Sequence, residues 1–371
     1  MEYKSNVDIL YGKYLDENFN VTIGGVQTYI NDLCQVLLQM GIDVRIVQFA
    51  SKEFVYEMPN KIQCIGFNIN EKKAKKRYQA LYDKAVATRK YENTITLFAT
   101  DNIIPSKTRG KALAIQHGIF WDVPTVKERP WVKQVLARVL YTTELKKRID
   151  KIDTLVCVDY NFVNWYRTQV DRVRNKVYIV PNYTKVSDSV NKPKDVVNII
   201  FARRFVHYRG TRIFVDAIKR VLSEYKNVYV TVAGSGPDEQ WIKEQLTDFS
   251  NVSFVKYDSE DSLAVHASQH IAVVPSTGSE GTSLSLLEAM SSQCAVICTD
   301  VGGMTNIVLD GYNGLMVDAG SSEKLYEALC LLINDEKLRE SLSCKAYETV
   351  KTSFSYEKWE LKWERIIEDL F

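Results

Sequence analysis

Two glutamates stand eight residues apart in the segment PSTGSEGTSLSLLEAM, which begins at Pro275. A strand is predicted to end at Pro275 and a helix to begin near Gly281 or Thr282, where free N–H groups and the helix dipole attract an anion. Helical rise would separate Glu280 and Glu288 by roughly 10–12 Å. That distance reaches from a sugar, across a diphosphate, to a ribose, and carboxylates can accept hydrogen bonds from the hydroxyl groups of the sugar and the ribose. A capped helix with one solvated glutamate is the alternative.

A basic loop, FARRFVHYRG, follows another predicted strand. Arg203, Arg204 and Arg209 crowd the carboxyl end of that strand, which is where open α/β sheets bind ligands. Arg204 and Arg209 could hold a diphosphate through charge-assisted hydrogen bonds. A solvated basic loop is the alternative interpretation.

Two glycine turns and one histidine also follow predicted strands. Gly234 and Gly236 lie in AGSGP, a weak dinucleotide-type signal. Gly24 and Gly25 precede a helical stretch, so the backbone there could approach a phosphate closely. His117 directly follows the strand ALAIQ, at the functional edge of its sheet. Taken singly, plain turns and a structural histidine explain these features.

Metal and nucleophile motifs are absent from the sequence. There is no Asp-x-Asp triplet to seat a divalent ion beside a nucleotide, and no GxSxG or Walker A sequence. His266 and His270 have helical spacing but lack a third ligand nearby, so no zinc site is expected. We therefore predict no metal and no cofactor.

Short β-branched runs alternate with longer amphipathic stretches along the chain, a pattern typical of parallel strands covered by helices on both faces. Two such series predict two doubly wound α/β domains. The predicted strands are 7–11, 44–49, 94–99, 112–116, 154–158 and 177–180, and then 196–202, 228–233, 252–255, 271–275, 295–298 and 314–317.

The polar segment 184–195 is the predicted junction between the domains. We assign 1–186 to an N-terminal domain, 187–352 to a C-terminal domain and 353–371 to a terminal helix. Trp359 and Trp363 lie on one apolar face of that helix, which needs a partner.

The composition is that of a globular protein, with 371 residues, 46% hydrophobic and 25% charged. No apolar run reaches the ~20 residues that span a bilayer, and the first residues lack a signal-peptide core. Seven scattered cysteines suit reduced thiols, so we expect a cytoplasmic location.

Charge is divided unequally along the chain. Residues 1–186 carry a net charge of +10 and residues 187–371 a net charge of −8. With the cluster EKKAKKR at 71–77, this predicts an anionic partner for the first half, such as an anionic membrane or a phosphorylated acceptor. Nucleic acid also fits the charge alone, but is not the partner we predict. Unequal surface charge with no partner is the alternative.

Taken in their order along the chain, these motifs together resemble those of the family-4 glycosyltransferases of the GT-B fold. The family pattern Gly-Arg-x4-Lys-Gly is similar to 203–210, Gly-x-Gly-Pro to 234–237, and Glu-x7-Glu to 280–288. The Asp-Val-Gly-Gly and Asp-Gly-x-x-Gly-Leu segments correspond to 300–303 and 310–315. Departures include Arg203 for the motif's Gly, Arg209 for Lys, and Asn306 for a frequent Glu.

The resemblance implies two Rossmann-like domains facing a central cleft that holds a nucleotide sugar. Arg204 and Arg209 would bind the diphosphate, Glu288 the ribose and Glu280 the transferred sugar, with His117 beside the reacting carbon. The catalytic set would be His117, Glu280, Arg204 and Arg209. The full donor site would comprise Gly24, Gly25, Arg204, Arg209, Gly234, Gly236, Glu280, Gly281, Thr282, Ser283, Leu284 and Glu288.

The function so implied is a retaining, metal-independent transfer of sugar, with a UDP-sugar favoured as donor, to a glycan or lipid-linked acceptor in cell-surface polysaccharide synthesis. Three alternatives stay open: a GT-B sugar-nucleotide epimerase, a non-catalytic nucleotide-sugar-binding protein, and a dinucleotide dehydrogenase suggested by AGSGP. Against the last, no acidic residue follows AGSGP at the right distance to hold a ribose.

Overall fold

The first half of the chain builds one eight-stranded sheet. The computed structural model describes residues 5–22, 24–118, 130–187, 190–278 and 280–371. The strand order is β3-β4-β2-β1-β5-β6-β7-β8, and every pair is parallel except β3 with β4. The strands are β1 (Asn6–Leu10), β2 (Asp43–Phe49), β3 (Phe54–Glu57), β4 (Gln63–Phe67), β5 (Thr94–Phe98), β6 (Ala112–Gln116), β7 (Thr154–Cys157) and β8 (Lys176–Ile179).

The second half builds a six-stranded, fully parallel sheet in the order β11-β10-β9-β12-β13-β14. Because β9 lies between β10 and β12, the chain reverses its direction of winding at β9. Its strands are β9 (Val197–Ala202), β10 (Val228–Ala233), β11 (Val252–Val255), β12 (Ile271–Val274), β13 (Ala295–Thr299) and β14 (Leu315–Val317).

Helices cover both faces of each sheet, so the central strands are buried on both sides. The helices in the described ranges are α1 (Gly25–Gln39), α2 (Ala74–Ala87), α3 (Trp131–Ile149), α4 (Tyr160–Gln169), α5 (Thr211–Glu224), α6 (Glu239–Gln245), α7 (Ser262–His266), α8 (Leu284–Ser291), α9 (Ser322–Asn334), α10 (Glu336–Ser353) and α11 (Tyr356–Leu370). The prediction of two doubly wound α/β units is confirmed.

The sequence patterns missed β3 and β4. β3 is an edge strand that pairs antiparallel with β4, and its residues alternate between partly buried and exposed. β4 contains Gly66, which weakens a strand pattern. An added Cβ at Gly66 would collide with the ring of Phe54, so the glycine allows β3 to pack this closely.

The last helix, α11, packs into the hydrophobic core of the first sheet. Trp359 and Trp363 are both buried there, against α1. The indole Nε1 of Trp363 donates a hydrogen bond to the hydroxyl of Tyr29, at 2.9 Å. The exact domain boundaries at 186 and 352 stay predictions.

Candidate functional site

The basic loop and the acidic loop meet at the carboxyl ends of β9 and β12, which are neighbours in the second sheet. Arg203 and Arg209 both form ion pairs with Oε1 of Glu280. The hydroxyl of Ser276 donates to the same oxygen. This cluster lies at the point where the strand order reverses, which is where open α/β sheets bind ligands.

The structure brings Arg203, rather than Arg204, to Glu280. The guanidinium of Arg203 is buried, and its Nη1 has no hydrogen-bond partner among the described residues. Arg204 is exposed. Sequence reasoning placed Arg203 beside Arg204 and Arg209 at the carboxyl end of the strand, but it assigned the diphosphate to Arg204 and Arg209 and gave Arg203 no role. The available signal was its place immediately after β9.

The two glutamates have opposite pKa shifts. Burial alone raises the pKa of the Glu280 carboxyl, but the charges of Arg203 and Arg209 and the bond from Ser276 outweigh burial and lower it. Burial raises the pKa of the Glu288 carboxyl, which lies beside less compensating charge. Glu280 is therefore held as a carboxylate within a cationic cluster.

Glu288 lies in the second turn of α8, which begins at Leu284. The prediction of a helix start near Gly281 or Thr282 is wrong by two to three residues. Residues 281–283 form an irregular approach to the helix, with Ser283 at the N-cap. The backbone N–H groups of this approach still precede the positive end of the helix dipole.

A glycine pair holds Glu280 from behind. The N–H of Gly303 donates to the carbonyl oxygen of Glu280, at 3.0 Å. Gly302 has a φ of 55°, and a Cβ there would collide with the same carbonyl oxygen. A side chain at Gly302 would therefore displace the Glu280 backbone, which explains the glycine in the Asp-Val-Gly-Gly segment.

The glycine turn after β10 packs on the arginine loop. A Cβ at Gly234 or Gly236 would collide with the carbonyl oxygens of Arg203 and Phe205, respectively. The N–H of Phe205 donates to the carbonyl of Ser235, at 2.9 Å. The turn therefore positions the arginine loop through its backbone.

Residues from the first half of the chain lie directly against the start of α8. A Cβ at Gly281 would lie 2.7 Å from the carbonyl oxygen of His117. A Cβ at Gly25 would lie 3.7 Å from Cδ1 of Leu284. Motifs separated by more than a hundred residues in sequence thus converge between the two sheets.

Hydrogen bonds join the two halves around this junction. The Thr282 hydroxyl donates to the carbonyl of Val158, and the Asn182 amide donates to the carbonyl of Thr282 at 2.8 Å. The N–H of Tyr160 donates to Oδ1 of Asn306 at 3.0 Å. Sequence reasoning missed these contacts, because their partners carry no motif of their own. Asn306 accepts an N–H bond at the position where the family often has Glu.

The ring of His117 is held in one protonation state. Its Nε2 lies 3.0 Å from the carbonyl oxygen of Ala99. A carbonyl only accepts, so Nε2 carries the proton and Nδ1 is left as an acceptor. Burial lowers the pKa of His117 to about 4, so the ring is neutral at pH 7. The ring of Tyr29 packs edge-on against it.

His266 and His270 bond to backbone groups. Nδ1 of His266 lies 2.7 Å from the Ser262 carbonyl oxygen, and Nε2 of His270 lies 3.0 Å from that of Pro193. Over the described ranges, no group of three or more His, Cys, Asp and Glu is placed to hold a metal ion. Nor does any helix in these ranges have the length and apolarity to cross a bilayer.

Residues 182–349 match the family model described as glycosyl transferases group 1. The capsular polysaccharide biosynthesis glycosyltransferase CapM of Staphylococcus aureus is 28% identical over 239 residues, which cover 63% of this chain and 59% of CapM. The chain therefore spans about three fifths of this relative. These findings confirm a glycosyl transferase group 1 domain in the C-terminal half.

Two solved structures share the fold over nearly the whole chain. The sucrose-phosphate synthase of Thermosynechococcus elongatus superposes with a TM-score of 0.77 at 17% identity and covers 99% of both chains. Anabaena HepE in complex with UDP-glucose gives a TM-score of 0.72 at 14% identity and covers 98% of this chain and 99% of HepE. The prediction of the GT-B fold is confirmed, and assignment to family 4 stays a prediction.

Proposed function

We propose that this chain, which carries a glycosyl transferase group 1 domain on a GT-B fold, is a retaining glycosyltransferase of cell-surface polysaccharide assembly. It moves a sugar from a nucleoside diphosphate to a glycan or lipid-linked acceptor. The cluster of Arg203, Arg209 and Glu280 beside the start of α8, opposite His117, is the observation that carries the proposal. The UDP-glucose held by HepE supports a UDP-sugar donor. The similarity to CapM, a glycosyltransferase of capsular polysaccharide biosynthesis, supports a role in polysaccharide assembly.

The leaving group dictates the role of the cationic loop. When the bond from the anomeric carbon to the phosphate oxygen breaks, negative charge grows on the diphosphate. Arg209 is partly exposed and can turn toward that charge, while Arg203 stays behind with Glu280. Arg204 remains part of the proposed diphosphate site, reaching it from the surface. The N–H groups at 281–283 add a second set of donors.

The acceptor and sugar are oriented from both sides of the junction. Glu280 would accept hydrogen bonds from hydroxyl groups of the transferred sugar. Nδ1 of the neutral His117 ring would accept a hydrogen bond from another hydroxyl group of that sugar. The acceptor oxygen bonds to the anomeric carbon on the face that the phosphate leaves, and its proton passes to a phosphate oxygen. Gly24 and Gly25, at the start of α1, leave room for the acceptor to approach, and Gly25 lies beside Leu284.

A thermal-shift screen with UDP, GDP, ADP and their sugars tests the donor, and a product assay with acceptor tests the reaction. We expect stabilisation by UDP and its sugars, with transfer to acceptor. Epimerisation of the nucleotide sugar without acceptor would favour the epimerase, and binding without turnover would favour the non-catalytic protein. A nicotinamide absorbance would favour the dehydrogenase.

We predict that Glu288→Ala weakens binding of the free nucleotide, because the carboxylate is proposed to hold the ribose. Glu280→Ala should instead weaken binding of the nucleotide sugar more than that of the nucleotide. Isothermal calorimetry with UDP and UDP-glucose measures both. Equal effects of the two variants on both ligands would remove these assignments. Glu336→Ala, at a carboxylate on α10, is a control for charge.

We predict that EDTA leaves transfer activity largely intact, since arginines and backbone N–H groups are proposed to neutralise the diphosphate. The measurement is an initial rate before and after chelation, with added Mg²⁺ or Mn²⁺ as the comparison. Loss of activity that either metal restores would overturn the metal-independent mechanism.

We propose a cytoplasmic protein that binds reversibly to the inner face of the plasma membrane. The net positive charge of residues 1–186 supports this location, because Lys and Arg are attracted to anionic lipid.

A further inference from the structure

The first three turns of α3 expose an apolar face. The side chains on it are 48–73% exposed, and Trp131 is the most exposed of them. The face consists of Trp131, Val132, Val135, Leu136, Val139 and Leu140. Single exposed apolar residues are ordinary, but six on one helix form a contiguous patch that marks an interaction surface.

The apolar face points away from the protein. At 3.6 residues per turn, its six residues occupy one half of the helix circumference. The opposite half carries Gln134, Ala137, Tyr141 and Leu145, which are partly or fully buried against the first domain. These turns therefore present apolar side chains outward, where a surface helix of a globular protein usually carries polar ones.

Basic residues border this face. Lys133 and Arg138 lie at its two edges, and no acidic residue occurs in α3 before Glu144. The carboxylate of Glu144 bonds to Nζ of Lys75, at 2.7 Å, which joins α3 to the start of α2. The exposed cluster 72–77 therefore lies beside α3.

We infer that the exposed face of α3, together with the lysines of 72–77, is a docking surface for an anionic lipid bilayer. An apolar stripe that carries a tryptophan and is edged by Lys and Arg suits the headgroup boundary, where the apolar residues enter and the cations stay at the phosphates. A protein partner would require no such basic edging on both sides. The positive charge of the whole first half complements an anionic leaflet.

The placement of α3 connects this surface to the proposed function. α3 links β6 to β7, so its first turns lie near the carboxyl edge of the sheet, where His117 follows β6. Docking through these turns would bring the junction between the two sheets at His117 close to the bilayer. The inference thus rests on the proposed lipid-linked acceptor for its purpose, but on residues outside the donor site for its evidence.

Vesicle sedimentation tests the α3 docking surface and requires no catalytic activity. We expect the full chain to bind phosphatidylglycerol–phosphatidylcholine vesicles at low salt, less at high salt, and pure phosphatidylcholine only weakly. Leu136→Ser with Leu140→Ser should lower the partition coefficient by roughly tenfold. The matched control is Leu331→Ser with Leu361→Ser, which changes two other exposed leucines, on α9 and α11. This control should bind as the wild type does.

A second variant tests the charge. Changing Lys72, Lys73 and Lys76 to Gln spares Lys75, which bonds to Glu144, and should weaken binding at low salt only. Sedimentation equilibrium is run in parallel. The inference fails if the wild type ignores anionic vesicles at low salt, if the α3 variant binds like the wild type, or if that variant merely dissociates a dimer. UDP-induced thermal shifts, measured on the same variants, report separately on the donor site.

Discussion

Arg209→Ala is expected to lower the rate of sugar transfer by roughly 10²–10³-fold, since a preorganised donor to the leaving diphosphate is lost. Arg209 is the partly exposed member of the cationic cluster, so it can exchange Glu280 for phosphate oxygens. Its removal leaves Glu280 paired with Arg203 and bonded to Ser276, so the site should keep its shape. The loss should therefore appear in turnover more than in stability.

Steady-state kinetics with the donor identified by thermal shift measure this effect. Arg209→Lys keeps the charge and should keep much of the activity. Arg220→Ala removes an exposed arginine that pairs with Glu323 on the same domain, and it should turn over as the wild type does. Wild-type rates for Arg209→Ala would exclude the residue from the reaction.

Much of this site follows from order along the chain. Parallel strands place their carboxyl ends at one edge, so loops after adjacent strands must meet there. In the structure that rule brings the residues after β9 next to those after β12, and Arg209 and Glu280 lie together. The periodicity that gave twelve strands rests on the same burial of both faces of the sheets.

Spacing could not decide which arginine enters the cluster. Arg203 and Arg204 are adjacent, and consecutive residues after a strand point in different directions. Which arginine is buried depends on the direction in which the loop leaves the strand. The turn at Gly234, from another part of the chain, packs against the carbonyl oxygen of Arg203 and so constrains that direction. A single sequence holds no record of that contact.

Contacts between the two halves of the chain also could not be predicted from the sequence. The bonds of Thr282 to Val158 and of Asn182 to Thr282 depend on how two separately wound sheets face each other. The outward apolar face of α3 could be seen only once its buried side was known, because periodicity gives the existence of a face and not its direction.

Arg203→Met should lower the free energy of unfolding by about 3 kcal/mol. Methionine fills much of the same space, so the loss reflects a Glu280 carboxylate left buried with one cation fewer. For a domain of this size, the loss corresponds to a fall in melting temperature of roughly 6–12 °C. Arg220→Met, at an exposed ion pair, should change stability by under about 0.5 kcal/mol.

The pH dependence separates this electrostatic loss from a packing defect. Folding lowers the pKa of Glu280, so its ion pairs stabilise the protein above the unfolded pKa of ~4.3, and that contribution is lost as the pH falls through the folded pKa. The stability gap between wild type and Arg203→Met should therefore be full at pH 7 and shrink below about pH 4. Urea unfolding at a series of pH values measures it. A stability gap that stays constant across that pH series would show that Arg203 only fills space. It would also show that the charge of Arg203 does not stabilise the carboxylate of Glu280.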